Sequence, residues 1–115
     1  MIKDIELNGK IVKIEYILPD EIKKFLRRNN IDENQLLKDY KWEQCIYEDL
    51  LDKNYKVRND FEKAKLVINY IYITQDNQIR IPPKNFAKGK IIGGGTWSKG
   101  TFFEDFSIGY SIFTE

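Results

Sequence analysis

Apolar and polar residues alternate most clearly at the start of the chain, in "DIELNGKIVKIEYI". An Asn-Gly pair at positions 8 and 9 is the preferred sequence for a two-residue type I′ turn, because both positions adopt positive φ. A turn there places Ile5 opposite Val12 on an apolar face. On the other face Asp4 lies opposite Lys13 as a cross-strand ion pair. The sequence therefore predicts an N-terminal β-hairpin.

Helical spacing follows in two segments. Pro19 begins the first, which has acidic residues in its first turn and Arg27 and Arg28 in its last, where each charge suits the helix dipole. The second begins at Asp32, whose carboxylate can cap the helix while Gln35 reaches back. Its buried apolar stripe, which includes Tyr47, continues at helical spacing, so the pattern predicts one continuous helix that ends near residues 53–54.

The second half of the chain is rich in β-branched and aromatic residues. The segment "KLVINYIYIT", residues 65–74, lacks clean alternation, which predicts a central strand buried on both faces. A turn at "QDNQ" leads into a short strand, "QIRI". Residues 55–64 are ambiguous between a loop, a short strand and the first turn of a third helix at Asp60, and a loop with a short helical turn is the favoured interpretation.

A second hairpin is predicted from "GKIIGGGTW" and "TFFEDFSIGYSIF". A three-residue turn at positions 98–100 would place Gly95 opposite Phe103 and Thr96 opposite Phe102. The glycines would then bend the strand and leave room for the rings. In the alternative interpretation, a ligand or partner approaches the bare glycine backbone.

These elements together predict the α+β fold class, in a single domain spanning residues 1–115. The expected architecture is an N-terminal β-hairpin, two helices, and then a mainly antiparallel sheet of three to four strands, with the helices packed on one face. A chain of 115 residues with 42% hydrophobic residues can bury a core without disulfides.

Composition and charge indicate the cellular location and the kind of partner to expect. Residues 31–62 carry a net charge of −4 and residues 63–103 a net charge of +6, although the whole chain carries only +1. Such a dipolar surface steers oppositely charged partners. Cys45 is the single cysteine, the first residues lack the apolar core of a secretory signal, and no apolar run is long enough to span a bilayer. We therefore expect a cytoplasmic protein without a membrane partner.

The absence of histidine is the strongest statement about chemistry. It removes Ser-His and Cys-His dyads, His general bases and His metal ligands together. The glycine tract does not match a phosphate-binding P-loop or a dinucleotide fingerprint, because both require a helix to follow. The sequence therefore predicts no catalytic residues, no cofactor and no metal site, and indicates a protein that is not an enzyme.

The second predicted helix provides a candidate partner-binding surface. On a continuous helix centred on the buried Tyr40, Trp42 lies on the far side among carboxylates. An exposed tryptophan beside acids is typical of a protein-binding hot spot for a basic partner. The alternative, that Trp42 belongs to the core, stays open at this point. The candidate partner-binding residues are Asp39, Trp42, Ile46, Asp49 and Asp52.

A basic patch gives the rival interpretation. Lysines interleaved with exposed rings can bind nucleic acid or another anionic ligand, although no nucleic-acid-binding motif is present. The residues of this patch are Lys84, Lys88, Lys90, Trp97 and Lys99. A third option is an apolar small molecule bound in a pocket of the sheet.

The favoured hypothesis is a small inhibitor of the immunity-protein or antitoxin type. It rests on the missing catalytic groups, the small size and the acidic, aromatic helix. Its partner would be another protein, possibly a basic toxin or nuclease, and nucleic acid is the less favoured partner.

Overall fold

The computed structural model describes residues 1–51, 62–82, 89–99 and 106–114. Within these ranges the chain forms six strands and three helices. In chain order they are β1 (Ile2–Leu7), β2 (Lys10–Ile17), α1 (Asp20–Arg28), α2 (Glu33–Asp39), α3 (Trp42–Leu50), β3 (Lys63–Thr74), β4 (Asn77–Arg80), β5 (Lys90–Lys99) and β6 (Phe106–Thr114).

The strands form one sheet in the order β1-β2-β3-β6-β5, and β4 pairs with β3 beside this path. Strands β2 and β3 are parallel, whereas the other neighbours are antiparallel. The predicted α+β class with a mainly antiparallel sheet is therefore confirmed. The parallel pair arises because the chain passes through all three helices between β2 and β3.

The N-terminal hairpin forms as predicted. Asn8 and Gly9 have φ values of 51° and 85°, the left-handed conformations that a type I′ turn requires. Asp4 lies opposite Lys13, and the neighbouring apolar pair is also in the predicted register. The hairpin thus places its apolar face towards the helices.

The second predicted helix is in fact two helices, and the prediction of one continuous helix is wrong. Asp32 caps α2 by accepting a hydrogen bond from the backbone N–H of Asn34. Tyr40 then adopts an extended conformation, with φ −90° and ψ 142°, and α3 begins at Trp42. On one straight helix Tyr40 and Trp42 would point about 200° apart. The break instead lets both rings meet, with 5.6 Å between their centroids.

Strand β3 is central, as predicted, between β2 and β6. Four consecutive side chains, from Leu66 to Asn69, are buried, because both faces of the strand are covered there. The register with β6 shifts between Ile68 and Tyr70, which indicates a bulge at Asn69. Of the ambiguous segment 55–64, residues 55–61 lie outside the described residues, and the last two belong to β3.

The predicted register of the second hairpin is wrong. Gly95 lies opposite Tyr110 and Thr96 opposite Gly109, seven positions from the expected partners. A shift by an odd number reverses the face to which every side chain points. The predicted pairing would have turned Trp97 away from the apolar face of β6. The observed register places Trp97 opposite Ile108, on the side of the helices.

One core cluster joins the sheet to the helices. Buried side chains from α1, α2 and α3 pack with the same face of β1, β2, β3 and β6. The largest fully buried side chains are Leu7, Val12, Ile14, Ile22, Leu26, Ile46, Leu50, Leu66, Ile68, Ile71, Ile108 and Ile112. The helices therefore cover one face of the sheet, as expected, and α3 is held against β5.

Candidate functional site at the third helix

Helix α3 has two sides of different chemistry. Trp42, Ile46 and Leu50 are buried at i, i+4 and i+8, and they form the inner side. The opposite side is exposed and carries Glu43, Gln44, Tyr47 and Glu48. We call these four residues the outer face of α3. The helix has no basic residue, so its solvent-facing charge is entirely negative.

The interpretation of Trp42 as an exposed anchor is wrong, and the alternative that it belongs to the core is correct. Its side chain is only 2% exposed. The indole lies 5.8 Å from the ring of Tyr110 and 6.0 Å from that of Trp97, both in edge-on geometry. Ile46, also predicted to bind a partner, is fully buried. Both errors follow from the break at Tyr40, which rotates α3 relative to the continuous helix that was assumed.

Asp49 is half-buried and faces the sheet. Its carboxylate accepts a hydrogen bond of 2.7 Å from the hydroxyl of Tyr110. Burial, and then this hydrogen bond and the charge of Asp49, raise the pKa of Tyr110 far above its ordinary value. Asp49 therefore ties α3 to β6, and this contact accounts for a residue that the sequence assigned to partner binding.

The glycine tract of β5 lets α3 approach the sheet. A Cβ atom at Gly93 would lie 2.9 Å from the Cβ of Asp49, closer than two carbon atoms can pack. At Gly94 the obstacle would be the carbonyl oxygen of Tyr110, also at 2.9 Å. The prediction that these glycines make room for neighbouring groups is right in kind. The described groups that approach these glycines are a helix and a tyrosine, and Phe102 and Phe103 lie outside the described residues.

A narrow cleft of about 310 Å³ remains between α3 and β5. Cys45 and Asp49 line it from the helix and Gly95 from the strand. Burial raises the pKa of the Cys45 thiol, a hydrogen bond with Tyr110 lowers it, and the charge of Asp49 raises it further. The net direction is upward, so the thiol is predominantly protonated at neutral pH and is a weak nucleophile.

The remaining predicted site residues are not brought together by the described structure. Asp52, Lys84 and Lys88, and the side chains of Asp39 and Lys99, lie outside the described residues. Lys90 is exposed at the start of β5. Trp97 lies seven residues further along the strand, roughly 23 Å away at the rise of an extended chain. Trp97 is half-buried, and its ring centroid is 4.4 Å from that of Tyr40.

Sequence reasoning missed the outer face because Tyr47 was counted in the buried stripe. Tyr47 is 38% exposed. Its hydroxyl donates a hydrogen bond to the carbonyl oxygen of Glu6 in β1, which fixes the ring over the hairpin. Beside it, Lys3 of β1 forms an ion pair of 2.6 Å with Glu43. No proline or glycine near Tyr40 signals the break, so the sequence pattern alone did not show which side of α3 is exposed.

Known proteins offer no further identification. No protein-family model matches the chain, and neither a curated protein nor a solved structure is significantly similar to it. Among the described residues, no group of three or more acidic or cysteine side chains is placed to hold a metal ion. No helix of the described part is long and apolar enough to cross a membrane.

Proposed function

We propose that the protein is a non-enzymatic binding module, a small inhibitor that neutralises a basic toxin or nuclease. The partner docks on the outer face of α3. The observation that carries this proposal is the composition of that face, which combines two carboxylates and an exposed tyrosine on a helix without a single cation.

The charge on the outer face is concentrated at one end. Glu43 is paired with Lys3 of the N-terminal hairpin. Glu48 lies in the last turn, next to the backbone carbonyl groups that make the C-terminal end of a helix electronegative. The pairing of Glu43 and the position of Glu48 both make the negative potential of the outer face strongest at the C-terminal end of α3. A Lys or Arg side chain of the partner would therefore be attracted most strongly to Glu48.

Tyr47 supplies the aromatic anchor that Trp42 does not. Tyrosine is enriched among the residues that dominate binding energy, because it combines apolar area with a polar tip. The hydrogen bond to Glu6 holds the ring in place. Docking on a ring that is already fixed costs less conformational entropy than docking on a mobile one.

The inner side of α3 gives the surface a rigid support. Trp42, Ile46 and Leu50 are buried in the core cluster, and Asp49 is hydrogen-bonded to Tyr110. A preorganised helix presents its outer residues with little rearrangement, which favours tight binding. The acidic residues and the tyrosine of the outer face are thus supported by ordinary apolar packing beneath them.

The test begins with an affinity-tagged chain used to capture its partner from the cells that express it. The captured protein is then purified and its affinity is measured with variants. We expect Tyr47→Ala and Glu48→Lys each to weaken binding by about tenfold or more, which corresponds to 1.4 kcal/mol or more. The captured protein should carry a basic surface.

The matched control is Asp76→Lys, the same change of charge at an exposed turn between β3 and β4. It should leave the affinity unchanged. If Glu48→Lys and Asp76→Lys weakened binding equally, the effect would reflect net charge and not the outer face. If neither outer-face variant weakened binding, this docking surface would be refuted.

Nucleic-acid binding by the basic patch stays a prediction. It is measured separately by titrating a labelled single-stranded oligonucleotide at two salt concentrations. Binding with a steep salt dependence that Lys88→Glu and Lys90→Glu abolish would favour this alternative over the inhibitor.

A further inference from the structure

A groove opens between the N-terminal hairpin and the junction of α2 and α3. Its volume is about 710 Å³, within the range of small-molecule sites. Four aromatic side chains line it, Tyr16 from β2, Tyr40 from the break, and Trp42 and Tyr47 from α3. Flat rings on several sides form a surface suited to the apolar body of an organic ligand.

The rim of this groove carries more positive than negative charge, although Glu43, Gln44 and Tyr47 of the outer face also line the groove. Lys3, Lys38 and Lys41 line it together with Glu43. Lys3 is already paired with that glutamate. Lys38 and Lys41 are exposed, and neither forms an ion pair with another residue of the described part of the chain. The rim therefore presents two cations to whatever occupies the groove.

A second observation points to a ligand. The indole N–H of Trp42 is the only buried side-chain nitrogen or oxygen atom in the described residues that has no hydrogen-bond partner. Buried polar groups are nearly always paired, and an exception calls for an explanation. Trp42 is also one of the residues that line the groove. This N–H is covered by protein atoms, so an oxygen atom of a bound molecule would reach it only after a side chain of the wall moves aside.

We propose that this groove binds a small apolar organic acid. The apolar body lies against the rings of Tyr40 and Tyr47, and the acid group is attracted to Lys38 and Lys41. A small movement of the wall then lets an oxygen of the ligand accept the hydrogen bond from Trp42. A neutral molecule of the same shape lacks the attraction to the two lysines, and a cation is repelled by them. The site is therefore selective for the anion.

The test is a titration of the nitrogen-15-labelled protein with 2-naphthoate, followed through the indole N–H resonances. Trp97→Phe assigns the two tryptophan signals. We expect a saturable shift of the Trp42 signal, and an affinity about tenfold or more higher than for 2-naphthamide, the neutral analogue. A Trp42 signal that does not move, or equal affinities for the acid and the amide, would overturn the proposal.

The lysines are tested with the double variant Lys38→Glu/Lys41→Glu, and Lys24→Glu on α1 serves as the control. The double variant should lower the affinity for 2-naphthoate by about tenfold or more, whereas the control should not change it. Unchanged binding by the double variant would contradict the assignment. Capture of a protein partner by Tyr47 and Glu48 is a separate measurement, so either proposal can fail while the other stands.

Discussion

Helices α1 and α3 have the same length, nine residues, and both pack into the core cluster. They follow the local rules of helix design to different degrees. Helix α1 has acids in its first turn and Arg27 and Arg28 in its last. Helix α3 has no base in its last turn and carries Glu48 and Asp49 there instead. The charges of α1 suit the helix dipole at both ends, whereas those of α3 oppose it at the C-terminal end.

The buried sides differ in the same way. Helix α1 buries Ile22, Phe25 and Leu26, which have no polar atom to satisfy. Helix α3 buries Trp42, whose N–H lacks a partner among the described residues. Departures from local rules concentrate where a protein trades stability for binding. The comparison therefore supports the proposed docking surface on α3 and gives no reason to propose one on α1.

The largest expected effect is at Trp42. Trp42→Ala should lower the free energy of unfolding by about 3–5 kcal/mol, because it leaves a cavity among aromatic rings. Trp42→Phe should cost much less, since it also removes an unpaired buried N–H. Urea denaturation measures both. A loss below about 1 kcal/mol for Trp42→Ala would show that the indole is not part of the core.

Alanine substitutions at two glycines of β5 should lower the stability by different amounts. Gly93→Ala should lower stability by about 1–3 kcal/mol, since the new methyl group would force α3 away from β5. Gly95→Ala should have a smaller effect, because its Cβ would lie 3.4 Å from the hydroxyl of Tyr110, at the end of a side chain. Thermal unfolding of the two variants compares them directly. Equal losses would contradict the close approach of α3 at Gly93.

Alkaline pH should destabilise the side of the core that α3 covers. Burial raises the pKa of Tyr16 from 10.0 to about 12, with the charge of Glu43 adding to the effect, and the pKa of Tyr110 is also raised. The folded protein thus holds these protons more tightly than the unfolded chain. Their contribution is complete below pH 10 and is lost as the pH rises through the folded values.

Above pH 10 each of these tyrosines should therefore remove about 1.4 kcal/mol of stability per pH unit. Tyr110→Phe should make the decline less steep, although it also removes the hydrogen bond to Asp49. Urea denaturation between pH 9 and pH 12 measures the slope. A slope that Tyr110→Phe leaves unchanged would show that Tyr110 does not contribute to it.

The smallest effect is also the most specific. Glu48→Lys should raise the stability of the protein by about 0.3–1 kcal/mol, because it replaces an unfavourable charge at the end of α3. Arg28→Glu at the corresponding end of α1 should lower it by a similar amount. Denaturant titration at low salt measures both. If both variants lost stability equally, the contrast between the two helices would disappear.

Much of the fold could be predicted, because local signals agree with tertiary packing there. The Asn8-Gly9 turn, the cap at Asp32 and the central position of β3 all follow from short-range patterns. The candidate site could not be predicted in the same way. The break at Tyr40 has no proline or glycine to mark it, and it is stabilised by ring contacts with Trp42 and Trp97. Trp97 is distant in sequence, and the contact with Trp42 forms only because the helix breaks.

The register of β5 and β6 failed for a related reason. A tight turn was inferred from Gly100, whereas the pairing depends on which face of each strand the core demands. Trp97 and Ile108 must share the side of the helices, and this requirement overrides the local turn signal. The prediction of a single continuous helix was a separate error. It selected Trp42 and Ile46 as partner-binding residues in place of Tyr47 and Glu48.

The most direct test of the central claim is the dissociation constant of the captured partner for the wild-type protein and for Glu48→Lys, at low and at high salt. We predict a loss of about tenfold or more at low salt, and a smaller difference at high salt, because screening weakens the attraction at an exposed carboxylate. If the wild-type protein and Glu48→Lys had equal dissociation constants at low salt and again at high salt, docking on the outer face of α3 would be contradicted.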